Sequence, residues 1–171
     1  MKIDISGLSD GVHFLNLSEK MSDDFIIPYV IQDKIKIDIK IDKNSHSVLL
    51  NIAVEGLIKL QCDRCLESFP FLFKTEFDLL YEYNYNVKEI RDIRKIEEYN
   101  SFDIRPDTKY LNISEPLRDY ILLSIPMRRV PEEKNDICTY CNKKISDILI
   151  SKKEKNENPV WDKLKELKKN K

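Results

Sequence analysis

Residues 34–60, KIKIDIKIDKNSHSVLLNIAVEGLIKL, decide the fold of this chain. Over residues 34–42, isoleucine occupies every second position, and lysine or aspartate fills the positions between. This period of two places all the isoleucines on one face of a half-buried β-strand. Residues 43–46, KNSH, are typical of a turn, and the apolar stretch 47–60 predicts a second strand. The sequence therefore predicts a β-hairpin.

Further strands are predicted on both sides of this hairpin. Short apolar clusters within residues 1–31 predict one or two strands. Residues 69–83 are aromatic and β-prone, which predicts a third long strand, and residues 109–113 predict a short one. Between them, residues 84–103 are polar and on balance acidic, so we expect a solvent-exposed excursion there.

Two helices are expected late in the chain. Apolar residues at helical spacing follow Ser114, a suitable N-cap, and Pro126 ends the pattern near Ile125. A second, lysine-rich amphipathic helix is predicted at about 158–169. The predicted fold is therefore α+β, a mainly antiparallel β-sheet or partial barrel with two late helices, in a single domain over residues 1–171.

The composition indicates a folded chain without a bulk affinity for polyanions. Hydrophobic residues make up 42%, which is enough for a core, and the formal net charge of -1 shows that the chain is not a polycation. Residues 1–10 lack the apolar core and cleavage site of a signal peptide, and no apolar run reaches membrane-spanning length. We therefore expect a cytoplasmic protein without a membrane segment.

All four cysteines lie in two C-x-x-C pairs, Cys62 with Cys65 and Cys138 with Cys141, separated by 72 residues. Two residues between thiolates allow both sulfurs to bind one tetrahedral Zn²⁺, and an all-cysteine ligand set indicates a closed, structural site. We favour one structural zinc ion shared by the four cysteines. Free thiols and a redox-active pair are the alternatives, and the redox reading lacks the βαβ pattern of thioredoxin-like proteins.

The residue after each second cysteine bears on the zinc hypothesis. In a zinc knuckle, backbone N–H groups point at the sulfurs, and a residue that tolerates the left-handed conformation is favoured just after the second cysteine. Asn142 suits that position, whereas Leu66 fits it less well.

Four motifs occur in an order that resembles the YceD family. Residues 62–67, CDRCLE, follow an apolar stretch, precede an aromatic one and resemble the family signature C-x-R-C-L-E. Residues 113–126, ISEPLRDYILLSIP, are similar to its second block, an acidic and apolar helix that ends in proline. The second cysteine pair stands where some members have theirs. Residues 158–164, NPVWDKL, resemble the closing block Asp-Pro-Arg-Trp-x-x-Leu, with Asn and Val in place of Asp and Arg.

The resemblance implies a single YceD-like domain whose role is in ribosome biogenesis. It implies a bacterial, non-enzymatic protein needed for accumulation of 23S ribosomal RNA. The implied partner is 23S rRNA, or a large-subunit ribosomal protein or precursor. The sequence itself shows no Ser/His/Asp arrangement, phosphate loop, HExxH or paired-carboxylate motif. The alternatives are a zinc-stabilised protein-interaction module without an RNA role and, least favoured, a thiol or metal enzyme.

Candidate contacts to RNA or protein are basic or aromatic. Residues 142–171 contain ten lysines and five acidic residues, a net charge of +5, which favours phosphate; a solvated tail is the alternative. Arg128 and Arg129 are candidates for bidentate phosphate contacts. We expect a metal knuckle to hold Arg64 rigidly at the surface, with a salt bridge to Asp63, Glu67 or another carboxylate as the alternative. Trp161 is a candidate stacking platform or, alternatively, a helix-to-core anchor.

Overall fold

The computed structural model describes residues 1–22, 25–85 and 100–148, together with the backbone of Ile93–Arg94. No helix in these residues is long and apolar enough to cross a membrane. The predicted helix at about 158–169 lies outside them, so the prediction of one domain over the whole chain stays a prediction.

The chain forms two compact units, each built from two segments. The first comprises Met1–Lys59 and Pro70–Met127, and the second comprises Leu60–Phe69 and Arg128–Lys171. The elements that lie wholly or mostly in the first unit are β1 (Lys2–Asp4), β2 (Gly11–Glu19), β3 (Val30–Ile31), β4 (Ile35–Lys43), β5 (Ser47–Gln61), β6 (Ser68–Tyr83), β7 (Ile93–Arg94), β8 (Ser101–Ile104), β9 (Tyr110–Asn112) and α1 (Ser114–Leu123). The strands of the second unit are β10 (Glu133–Lys134) and β11 (Ile137–Cys138).

The main sheet has the strand order β2-β4-β5-β6-β8-β7, and β3 pairs with β5 beside this path. The β6–β8 pair is parallel, whereas the β2–β4, β4–β5, β3–β5 and β7–β8 pairs are antiparallel. Strands β1 and β9 form a separate antiparallel pair. Within the described residues the sheet is open and does not close into a barrel. The predicted α+β fold with a mainly antiparallel sheet is confirmed.

The hairpin that the isoleucine alternation predicts is confirmed as β4 and β5. The isoleucines of β4 are at most 2% exposed, whereas the charged residues between them face solvent. At the turn, the side-chain oxygen of Asn44 accepts the N–H groups of His46 and Ser47, each at 2.8 Å. A short polar side chain thus satisfies the backbone where the ladder ends, which fixes the register of the two strands.

The prediction of a solvent-exposed excursion over residues 84–103 is wrong for its last three residues, which belong to strand β8. Strand β8 pairs with β6 in parallel, and its Ser101 and Phe102 are only 2% and 6% exposed. Phe102 also stacks on Tyr81 of β6, with the ring centroids 5.0 Å apart. The chain therefore returns to the core two residues before the predicted excursion ends.

Helix α1 covers one face of the first unit, as the helical spacing predicts. Leu117 and Ile121 are fully buried, and the ring of Tyr120 stacks on Phe77 of β6 with the centroids 4.1 Å apart. Ser114 is the first helical residue rather than the cap, and its hydroxyl contacts the amino group of Met1 instead. The helix ends at Leu123, before the proline that the sequence marks as its limit.

Candidate metal centre

The first cysteine pair lies in a tight turn between β5 and β6. The Cys62 N–H donates to the carbonyl of Glu67 at 2.9 Å, and the Leu66 N–H donates to the carbonyl of Cys62 at 2.9 Å. Leu66 has a φ of 63°, which lies in the left-handed region. We call residues 62–67 the first knuckle.

The second cysteine pair lies in a turn with the same hydrogen bonds. The Cys138 N–H donates to the carbonyl of Lys143 at 3.1 Å, and the Asn142 N–H donates to the carbonyl of Cys138 at 3.0 Å. Asn142 has a φ of 56°. Residues 138–143, the second knuckle, are therefore a copy of the first in backbone geometry, although the two sequences share only their cysteines.

A hairpin leads into the second knuckle. Strands β10 and β11 pair antiparallel across two residues, Asn135 and Asp136, with φ of 52° and 62°. Positive φ at both positions is the type I′ turn that suits the twist of a two-residue hairpin. The hydroxyl of Thr139 donates to the carbonyl of Glu132 at 2.7 Å, which ties the knuckle back to the segment before β10. Both cysteine turns are thus anchored to strands.

The two knuckles bring their thiols together. The sulfur atoms of Cys65, Cys138 and Cys141 lie within 4.8 Å of one another, close enough to hold a metal ion. Cys62 lies outside this group of three, but its thiol interacts with that of Cys65 closely enough for each to influence the pKa of the other. Cys62 and Cys138 are each 1% exposed, whereas the other two are partly exposed. Each knuckle therefore supplies one inner and one outer sulfur.

Backbone N–H groups point at the inner sulfurs. Burial raises the pKa of Cys62, but hydrogen bonds from the N–H groups two and three residues further along lower it by more, and the net shift is downward. Burial likewise raises the pKa of Cys138, and hydrogen bonds from the N–H groups two and three residues further along lower it by more, so the net shift is again downward. At the outer position, burial prevails and raises the pKa of Cys65 to about 11. The inner sulfurs thus have surroundings that stabilise a thiolate.

Arg64 is buried rather than presented at the surface. Its side chain is 9% exposed, and its guanidinium forms an ion pair with Glu133 and donates to the carbonyl of Pro131 at 3.2 Å. The expected surface position is therefore wrong, and the alternative role, a salt bridge with a carboxylate, is what the structure shows. Its contact with RNA or protein stays a prediction.

The guanidinium of Arg64 also lies against the Cys62 thiol, where it contributes to the lowering of the Cys62 pKa. Within the described residues, however, its buried Nε has no hydrogen bond of good geometry. A buried donor without an acceptor is unfavourable, and a thiolate in this site would supply the acceptor that it lacks.

Arg129 ties the segment after α1 to the first knuckle. The Asp63 carboxylate accepts the Arg129 N–H at 2.7 Å and its guanidinium at 2.9 Å, and the Asp63 N–H donates to the Arg129 carbonyl at 2.9 Å. The backbone hydrogen bond from Arg129 lowers the pKa of Asp63. Arg128 is exposed. Trp161 lies outside the described residues.

Two acidic residues complete the site: the sequence analysis did not single out Glu133, and it considered Glu67 only as a partner for Arg64. Glu133 holds Arg64, and Glu67 forms an ion pair with Lys143 at 3.3 Å, which joins the two knuckles. The available signal was an acidic residue near each cysteine pair, but the sequence alone did not identify their cationic partners.

The residues present fit a metal ion. Thiols converge from two equivalent turns, N–H groups are aimed at the inner sulfurs, and the buried Arg64 Nε lacks an acceptor that a thiolate would supply. A site made of sulfur alone suits a soft or borderline cation.

The comparisons with known proteins assign the chain to a family. Neither the curated proteins nor the solved structures contain a match to it. Residues 50–168 match the family described as large ribosomal RNA subunit accumulation protein YceD, a region that contains both knuckles and α1. Because this match spans more than half of the sequence, the chain belongs to the YceD family.

Proposed function

We propose that this chain is a non-enzymatic accessory protein of large-subunit biogenesis that supports accumulation of 23S rRNA. The observation that carries the proposal is the family match over residues 50–168. The knuckles agree with an accessory role, because a centre whose ligands are all cysteine leaves no open position for a substrate. The absence of a membrane-spanning helix from the described residues is compatible with a cytoplasmic location, beside assembling ribosomes.

The metal of this centre is proposed to be Zn²⁺, bound by all four cysteines. Three of the thiols already lie within 4.8 Å of one another. Cys62 is the fourth ligand, because it occupies in the first knuckle the place that Cys138 occupies in the second, and N–H groups point at both sulfurs. With the Cys62 thiolate, the four sulfurs would make up the complete ligand set of a tetrahedral site.

The zinc is proposed to have a structural role. It would join two segments that 72 intervening residues separate in the chain, so metal binding and folding of the second unit would be coupled. Without it, the two segments would be joined mainly by ion pairs, Arg64 with Glu133, Arg129 with Asp63 and Lys143 with Glu67.

Contact with rRNA is proposed to come from Arg128, Arg129 and Trp161 with the lysine-rich end. The described part of the second unit carries six basic and six acidic residues, so the knuckles themselves provide no net attraction for phosphate. Residues 149–171 carry eight lysines against four acidic residues, a net charge of +4. The electrostatic part of RNA binding would therefore depend on that segment and on the exposed Arg128.

A protein partner is the second candidate, and exposed apolar residues on the knuckles favour it. Leu66 is 59% exposed and Tyr140 is 51% exposed. Apolar side chains on a metal-braced turn suit a contact with a large-subunit ribosomal protein. The alternative to a ribosomal role is a zinc-stabilised protein-interaction module without an RNA role.

The ratio of 23S to 16S rRNA in depleted cells tests the proposal. The ratio should fall and should be restored by the unaltered protein, but not by a Cys62→Ser, Cys138→Ser double variant. An unchanged ratio on depletion would end the ribosomal proposal. Capture of the protein's partners before and after nuclease treatment separates the two modes, because a direct protein partner survives the nuclease.

A further inference from the structure

The two inner cysteines share one buried cation. Arg64 lies against the thiol of Cys62, and its positive charge also acts on Cys138, the inner cysteine of the other knuckle. Both cysteines are only 1% exposed, so solvent screens this interaction little. One buried charge thus acts on the inner cysteine of each pair.

The charge of the metal centre explains why a cation is needed there. Four thiolates around one Zn²⁺ have a net charge of -2, and burying a net charge is unfavourable unless it is compensated. The outer cysteines are partly exposed to water, and a cation, Lys143, lies nearby. Glu67 chiefly raises the pKa of Lys143, and Cys141 and Cys65 also raise it. The inner sulfurs have little access to water, so their compensation has to come from a buried side chain.

The three nitrogen atoms of the Arg64 guanidinium differ in their hydrogen-bond partners. Nη1 pairs with Glu133, Nη2 donates to the carbonyl of Pro131 at 3.2 Å, and the buried Nε has no partner in the described residues. The first two contacts fix the plane of the guanidinium, which interacts with the Cys62 thiol, and they leave the buried Nε–H without an acceptor in the described residues. A neutral thiol is a weak acceptor, whereas a metal-bound thiolate is a charged one.

We propose that Arg64 is a positioning residue of the metal centre, which donates its Nε–H to the metal-bound thiolate of Cys62 and offsets the charge of the two inner sulfurs. This inference rests on the proposed zinc site. Glu133 and the Pro131 carbonyl hold the guanidinium in place. Arg64 therefore acts on the metal centre, and its guanidinium is buried in the protein rather than exposed to a partner.

Zinc affinity of the full-length protein, measured by competition with a chromophoric chelator, tests the proposal. Arg64→Met should weaken zinc binding about 10- to 100-fold, the range for loss of a partner of a metal ligand. Arg64→Lys should recover part of the loss, because it restores the charge without the planar Nε–H donor. Lys134→Met is the matched control: it removes a charge from an exposed residue of β10 and should change the affinity by less than about threefold.

A spectroscopic readout separates this role from a loss of fold. With Co²⁺ in place of zinc, loss of a hydrogen bond to the thiolate should move the sulfur-to-cobalt charge-transfer band to longer wavelength in Arg64→Met, and not in Lys134→Met. If Arg64→Met does not fold, the same shift, smaller, is expected in Arg64→Lys, and an unchanged band there would overturn the proposal.

The outcomes distinguish this inference from the zinc site on which it rests. An unaltered protein that binds no zinc would remove the site and the inference with it. Zinc bound by the unaltered protein, with an affinity in Arg64→Met that is unchanged, would overturn the role of Arg64 and leave the four-cysteine site standing.

Discussion

Leu66 and Asn142 adopt the same left-handed backbone conformation, with φ of 63° and 56°, at the residue that follows the second cysteine of each knuckle. The position requires this conformation, because the N–H of the same residue closes the turn onto the carbonyl of the first cysteine. Asparagine enters the left-handed region readily, whereas leucine does so at a cost of roughly 1–2 kcal/mol. The turn is thus imposed on the first knuckle in spite of its sequence.

Exchanging these residue types should therefore have opposite effects on stability. Leu66→Asn should raise the free energy of unfolding by about 1 kcal/mol, because it relieves the backbone and removes a side chain that is mostly exposed. Asn142→Leu should lower it by a similar amount. Urea unfolding of the metal-loaded variants measures both. A less stable Leu66→Asn protein would mean that the leucine side chain makes a contact worth more than the strain.

The metal content of protein purified without chelators should be one zinc per chain. Less than about 0.2 zinc per chain would count against the site, since a structural zinc is retained through purification. Cys62→Ser is the decisive variant, because Cys62 lies outside the group of three close sulfurs. It should weaken zinc binding more than about tenfold, which is at least the effect of losing a residue that hydrogen-bonds to a metal ligand. An unchanged affinity would reduce the ligand set to three cysteines.

The affinity for zinc should also fall as the pH is lowered. Metal binding requires all four thiols to lose their protons, and burial raises the pKa of Cys65 to about 11 in the metal-free protein. Protons therefore compete with the metal at neutral pH, and more so in acid. Chelator competition at several pH values measures this, and an affinity independent of pH would contradict thiolate ligation.

Removing the metal should loosen the second unit selectively. On addition of a strong chelator, hydrogen exchange should accelerate at the amides of Cys62, Leu66 and Asn142, whose hydrogen bonds close the knuckles. The amides that pair β4 with β5 should keep their protection, since that hairpin is held by its own buried isoleucines. Equal acceleration at all these amides would show that the zinc stabilises the whole chain.

The hairpin contains a glycine whose missing side chain matters. A Cβ at Gly56 would lie 2.8 Å from the ring of Phe73 and from the side chain of Ile35, which is closer than real contacts allow. Gly56→Ala should therefore destabilise the protein by about 1–3 kcal/mol, the usual cost of overpacking. Gly7→Ala is the matched control, because nothing lies within 4 Å of its added methyl group. Equal thermal stability of the two variants would contradict the packing of β5 against β6.

The sequence predicts secondary structure best where the pattern of apolar residues lies within one short segment. The alternation in β4 and the spacing of apolar residues in α1 each determine which face is buried, and both helix and hairpin were confirmed. The strand β8 was missed because four residues in parallel with β6 give too short a pattern, and the register of such a pair is set by distant contacts.

The same limit applies to the candidate site. The cysteine spacing indicated that the two pairs meet, and three of the four sulfurs do lie together. The burial of Arg64 was not predictable, because its ion-pair partner Glu133 is 69 residues further along the chain. A residue between two cysteines in a tight turn is expected to point outward unless the fold supplies a carboxylate and a carbonyl to receive it.

Arg128 and Arg129 should behave differently in RNA binding, although they are neighbours in sequence. Arg128 is exposed, so Arg128→Ala should weaken binding to a 23S rRNA fragment and lower the salt slope by about one, with unchanged zinc content and stability. Arg129 is held by Asp63, so Arg129→Ala should lower stability as well. Filter binding at several salt concentrations, beside urea unfolding, separates the two effects. Equal RNA binding by Arg128→Ala and the unaltered protein would remove this arginine from the proposed interface and favour the protein-partner mode.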